Sequence, residues 1–261
     1  MGINIQRPVH IAPLVTFRVA FGAMMLLSII RFWANGWITS LYVTPGFYFP
    51  LQGMGWVQPL GAAGMHALFA VMAIAALLIM LGLCYRVATV IFFLAFTYVE
   101  LIDITNYLNH YYFISIISFL LIWVPANAYY SLDTRLGLAT EKTQAPAWTI
   151  GIFRLQLFMV YFFAGLAKLD HDWLFEAQPM KTWLPAKSHL PLIGPLMYKE
   201  WVAYFFSWFG ACYDLFIAFF LLFRRTRPVA YFFVLAFHLA TALFFPGIGM
   251  FPYVMIVCSL I

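Results

Sequence analysis

A lysine closes the apolar stretch Tyr161–Trp173, YFFAGLAKLDHDW, and Asp170, His171 and Asp172 follow it at once. An amine held in a partly dry pocket loses basicity, because desolvation disfavours its charged form. It is then able to accept a proton near neutral pH. A carboxylate beside it opposes that shift, so the geometry of Asp170 and Asp172 matters. The same position also suits an anchor, a Lys168 whose stem lies along apolar surface while its ammonium reaches for water. Position alone leaves both readings open.

A second constellation lies in YVELIDITNYLNHYYF. If one helix runs through it, Glu100, Asp103, Tyr107 and His110 share an arc of about 100 degrees. Two carboxylates and an imidazole so gathered are able to exchange protons. They equally suit a polar helix end that meets lipid headgroups, with the tyrosines as an interface belt. No pair among them has zinc-ligand spacing, so no metal site is expected. His238, in AFHLATALFF, is an ionisable group inside an apolar run, which makes it a functional candidate beside the plainer role of a hydrogen-bonded bundle residue. Arg154 and Asp214 are each costly alone in lipid, and a structural ion pair between them is expected. Cys84, Cys212 and Cys258 lie in apolar runs without disulfide or metal spacing and read as buried thiols.

The elements that position these residues follow from composition. The 261 residues are 65% hydrophobic and 9% charged, against about a quarter charged in a soluble domain. Apolar runs fall at Pro13–Trp33, Gly64–Cys84, Val87–Asp103, Tyr111–Pro125, Trp148–Ala167, Trp201–Phe223 and Pro228–Phe245, and a last one starts at Ile248 and is cut at Ile261. They are continuous rather than alternating, and helices satisfy their own backbone in lipid. The expected fold is all-α: one polytopic transmembrane bundle of about eight helices spanning 1–261, its fourth span short and its last helix truncated. Arg7, Arg86, the pair Arg135 and Lys142, and Arg224, Arg225 and Arg227 fall in alternate loops, which places the N-terminus in the cytoplasm. Asn106–His110 and Lys168–Lys199 then face the extracytoplasmic side. No cleavable signal peptide is evident. The net charge of +5 marks no nucleic-acid partner; the expected surroundings are membrane lipid.

LGLCYR (Leu81–Arg86), ANAYYSLD (Ala126–Asp133), YFFAGLAKLDHDW (Tyr161–Trp173) and IGMFPYVM (Ile248–Met255) stand in that order. Together they strongly resemble the vitamin K-dependent γ-carboxylase family, whose membrane region is the HTTM domain, in a prokaryotic-type version. The resemblance runs from about the second span to the end of the chain; the first sixty residues match loosely. It implies that Lys168 is the base that deprotonates vitamin K hydroquinone or a related reduced naphthoquinone. Reaction of the hydroquinone with O2 then supplies a base strong enough to remove a glutamate γ-proton, and the carbanion captures CO2. It implies that His110, in the pair Asn109–His110, assists the carboxylation half, and that His238 contacts the quinone. Asp170, Trp173, Met250 and Phe251, which stand in the same motifs, are expected at the cofactor, since a cavity of Phe, Trp and Met between helices would hold its apolar ring. The substrate implied is a peptide or protein glutamate at the extracytoplasmic face.

The sequence departs from the family too. The large extracytoplasmic C-terminal region of full-length carboxylases is absent, and Ala167 stands where some members have a second lysine. Two further readings therefore stand beside carboxylation: maturation or export of a peptide without glutamate carboxylation, and a non-enzymatic transporter or assembly factor. The last would want broken helices and charges at the bilayer midplane, whereas here the ionisable residues gather toward one face.

Overall fold

The computed structural model describes residues 4–245 and 247–261. The chain divides into two compact units, Met1–Phe153 with Leu260–Ile261, and Arg154–Ser259. The first holds β1 (Pro8–His10), α1 (Ala12–Ala34), α2 (Trp37–Tyr42), α3 (Gly61–Leu81), α4 (Tyr85–Ile102), α5 (Asn109–Trp123), α6 (Leu132–Arg135), β2 (Gln144–Pro146) and the start of α7 (Trp148–Leu166). The second holds the rest of α7, then α8 (His171–Leu174), α9 (Met180–Trp183), α10 (Glu200–Leu222), α11 (Arg227–Phe244) and α12 (Phe251–Cys258). The architecture is all-α apart from a short antiparallel ribbon that pairs Val9 with Ala145. Among the described residues six helices, α1, α3, α4, α7, α10 and α11, are long and apolar enough to cross a membrane. The run expected to be short is α5, with 15 residues, and the run from Ile248 holds α12, with 8.

Helices α1 and α3 cross closely because Gly22 has no side chain: a Cβ there would meet the Ala76 carbonyl oxygen at 2.8 Å. Near this crossing Arg18 is fully buried and donates to the carbonyls of Ile79 (3.1 Å), Met80 (3.1 Å) and Tyr130 (2.7 Å). These carbonyls cluster because α3 ends in a left-handed turn at Gly82, φ 65°, whose N–H returns to Ile79 while that of Leu83 returns to Leu78. The Asp133 carboxylate then accepts from the N–H groups of Cys84 (2.7 Å) and Tyr85 (3.1 Å), which start α4, and from Asn127 Nδ2 (2.7 Å). Two of the four resemblance motifs, LGLCYR and ANAYYSLD, are thus halves of one structural lock.

Two expectations are corrected here. No single helix runs from Glu100 to His110: the backbone turns at Asp103 (φ −149°, ψ 111°), whose carboxylate accepts from the N–H (3.0 Å) and hydroxyl (2.8 Å) of Thr105. This local bond competes with helix continuation, and α5 restarts at Asn109, so the shared arc dissolves. Of the three thiols only Cys258 is buried; Cys84 and Cys212 are exposed. Cys84 sits in the tight turn between α3 and α4, and Cys212 points outward from α10.

Within the second unit the segment 167–199 is folded rather than a bare loop. Ala177, Met180, Leu184 and Met197 form a buried cluster with Val202 and Ala203 of α10, flanked by Trp173, Tyr204 and Phe206. At its edge Lys181 Nζ lies 2.8 Å from Glu200 Oε1, and hydrogen bonding to that carboxylate raises the Lys181 amine above its ordinary range.

Candidate functional site

Lys168 stands two residues beyond the end of α7, and its Nζ lies 2.6 Å from Asp214 Oδ2. The amine also donates to the Ala164 carbonyl at 3.2 Å. Its side chain is 20% exposed and that of Asp214 9%. Asp214 is 14 residues inside α10 (214 − 200), roughly 21 Å from its start at about 1.5 Å per residue. Lys168 is therefore held level with the interior of α10 rather than with its start. The amine is bound within the unit, beneath the folded segment that follows it, and does not reach out as a snorkelling anchor.

One face of α10 builds the site. Ser207 and Asp214 are seven residues apart, two turns, and Gly210 lies between them on the same face. Ser207 holds Trp173 twice, accepting from its indole Nε1 at 2.8 Å through the carbonyl and donating from Oγ to the Trp173 carbonyl. A Cβ at Gly210 would lie 3.8 Å from Trp173 Cζ2, an ordinary contact, which places the indole against this face of α10. The Trp173 ring is thereby set 5.0 Å from Lys168 Nζ, within cation–π range. At Gly165 α7 approaches α10 so closely that a Cβ would stand 2.7 Å from the backbone nitrogen of Leu215. The glycine of the AG-x-x-K motif is the contact that lets the lysine reach Asp214.

His238 is fully buried on α11. Its Nε2 lies 2.8 Å from the Tyr161 hydroxyl, which in turn lies 3.4 Å from the Tyr213 hydroxyl. Tyr213 stacks on Phe237 with centroids 3.9 Å apart, and the Phe251 ring meets the imidazole edge-on at 5.7 Å. His238 Nδ1 is buried with no hydrogen-bond partner among the described residues. Tyr161 lies on α7 seven residues before Lys168, and the Tyr161 and Tyr213 hydroxyls lie in the field of the Asp214 carboxylate.

The sequence candidates thus separate. Lys168, Asp170, Trp173, Asp214, His238, Met250 and Phe251 all belong to the second unit. Asp170 is exposed, and its carboxylate accepts from the Trp173 N–H at 2.8 Å, capping α8. Met250 precedes α12, and its carbonyl accepts from Val254 at 3.0 Å. Asn109 and His110 open α5 in the first unit, Asn109 exposed and His110 buried edge-on to Tyr111 at 4.6 Å. The expected Arg154–Asp214 ion pair is replaced: Asp214 pairs with Lys168, and Arg154 lies in the fields of Arg227 and Tyr231. The reason is length, since Arg154 and Lys168 are 14 residues apart along α7 and the turn after it, again about 21 Å. Sequence reasoning named Asp214 but paired it with Arg154, and it missed Tyr161, Tyr213 and Ser207. Seven-residue spacing, from Lys168 to Tyr161 and from Asp214 to Ser207, was the available signal for two of these.

The first unit has a half-open pocket of about 30 Å³ beside Glu100, lined by Phe32, Phe69, Phe96, Met25 and Tyr111 among others. It has room for about one water, far below the volume of a naphthoquinone. The HTTM domain model matches residues 6–261. No solved structure matches the chain.

Proposed function

The chain belongs to the HTTM domain family, which is related to the vitamin K-dependent carboxylases, and from that membership we propose a membrane enzyme that uses a reduced naphthoquinone and O2 to carboxylate glutamate in a peptide. The observation that carries the reading is the setting of Lys168. Its amine uses two hydrogen positions on Asp214 Oδ2 and the Ala164 carbonyl, and the third position is left for a ligand hydroxyl. The indole of Trp173, locked by Ser207, supplies an aromatic face beside that position. The buried Nδ1 of His238 wants a polar partner, because a bare buried nitrogen costs about 1–3 kcal/mol. A ring that carries oxygens at both ends and is otherwise apolar suits such residues.

When bound, the reduced quinone supplies by its reaction with O2 the driving force that no amine has for removing a glutamate γ-proton. The residues of the chain do the rest. Lys168 takes the hydroxyl proton at Nζ, Trp173 orients the ring and limits water, and Tyr161 fixes the imidazole of His238 through Nε2. Asn109–His110 serves the carboxylation half, and the N-terminus lies in the cytoplasm with the site open to the extracytoplasmic side.

The test uses the full chain in lipid nanodiscs with chemically reduced vitamin K, O2, labelled bicarbonate and a glutamate peptide. Quinone epoxide and peptide-bound label are both expected. Lys168→Ala should lower epoxide formation at least 100-fold, and Lys168→Ala combined with Asp214→Asn, which leaves no buried charge unpaired, should lower it as much while the chain stays folded. Epoxide without label removes the carboxylase assignment, and undiminished epoxide in Lys168→Ala removes the base.

A further inference from the structure

Lys168 poses a contradiction as a base. A carboxylate oxygen 2.6 Å from its nitrogen favours the ammonium form, which has no lone pair to accept a proton. We propose, resting on the function above, that Asp214 is the positioning residue that makes Lys168 a base by sharing its proton. At rest the pair is ammonium and carboxylate. As the substrate hydroxyl approaches, one N–H proton passes from Nζ to Asp214 Oδ2, the neutral amine turns about its Cε–Nζ bond so that the freed lone pair faces the ligand, and that lone pair takes the hydroxyl proton. The pair ends as ammonium and carboxylic acid, and the substrate leaves as its oxyanion. One proton has entered the pair, charge is conserved, and the nitrogen never has to be neutral in advance.

The geometry suits this transfer. The N···O separation is at the short end for a charge-assisted bond, and Gly165 and Ser207 fix the two helices on either side of it. Tyr161 on α7 and Tyr213 on α10 lie in the field of the Asp214 carboxylate; the Tyr161 hydroxyl is hydrogen-bonded to Tyr213 and to His238 on α11, with Cys258 of α12 near Tyr161. Asp170 and Asp172, by contrast, are exposed. Asp214 is thus the carboxylate that holds Nζ.

Two measurements test it. The rate of hydroquinone consumption by the wild type should be flat from pH 6.5 to 9, since the pair takes up the hydroxyl proton without first losing one to solvent. A rise of about tenfold per pH unit in the wild type means that the amine must first lose a proton by itself, and it overturns the proposal. In Asp214→Asn the amine must do so, and the rate should climb with pH over that window; a flat profile at the wild-type rate overturns the proposal too. Asp214→Glu should restore the flat profile. The second measurement needs no activity: pH-dependent acylation of Lys168, read by mass spectrometry. Its midpoint should fall by at least one unit in Asp214→Asn, and an unchanged midpoint refutes the coupling. A wild type that consumes no hydroquinone refutes the assigned function instead, while the acylation result still reports on the pair.

Discussion

Replacing Gly165 by alanine adds one methyl group, three residues before the lysine. That methyl would stand 2.7 Å from both the backbone nitrogen and Cγ of Leu215 and 2.9 Å from its Cα, where ordinary contact begins at 3.4 Å. The helices must therefore part by about 0.7 Å (3.4 − 2.7), because backbone atoms cannot rotate away. Carried through to the ion pair, the same displacement stretches the 2.6 Å Lys168–Asp214 contact to roughly 3.3 Å, beyond a good charge-assisted bond. Overpacking of this kind costs about 1–3 kcal/mol, and a misplacement near 1 Å at a reacting group costs on the order of 100-fold in rate. Gly165→Ala should thus lower the thermal transition and reduce hydroquinone consumption on the order of 10- to 100-fold. Gly151→Ala is the control. It lies on the same helix, where a Cβ would meet nothing within 4 Å, and there alanine should stabilise the helix by about 0.5–1 kcal/mol. Equal transitions and equal rates for the two variants would refute the close-contact reasoning.

Two further outcomes are expected. Arg18→Met should destabilise the first unit by about 2–6 kcal/mol, at about 1–3 kcal/mol for each of the two carbonyls, Met80 and Tyr130, left without the guanidinium. Thermal unfolding in detergent checks this, and a transition unchanged within a degree would sink it. Lys181 has a raised pKa in the folded chain, so its contribution is fully present below the ordinary lysine value of 10.5 and is lost as pH rises through the folded value. The stability difference between wild type and Lys181→Met should accordingly be constant from pH 6 to 9, shrink at more alkaline pH and weaken with salt; a difference that grows with alkalinity contradicts the sign.

The membrane-spanning helices were legible because each apolar run states its own length, and lipid leaves a continuous run little choice but a helix. The short α5 was visible in the same way. The break at Asp103 was not, although its cause is local: an aspartate two residues before a threonine offers the backbone another partner, and an apolar periodicity does not register that offer. Lys168 was singled out by residue type and surroundings before any fold was known. Its partner was not, since a depth counted from span ends assumes that every helix begins and ends at the same level. Asp214 lies well inside α10 while Lys168 follows the last residue of α7, and such a stagger is set by packing.

By itself, then, the sequence determined the class of the molecule, the order of its helices, the family and the lysine, all properties of contiguous residues. Tertiary structure alone decided what the motifs are for. It joined Arg18 to carbonyls 61 and 112 residues away, gave Gly165 its meaning as a contact with Leu215, and chose Lys168 over Arg154 as the partner of Asp214. A charge in an apolar run announces only that it needs a partner. Which one it finds depends on the stagger and spacing of whole helices, and those follow from many side-chain contacts at once rather than from any segment read alone.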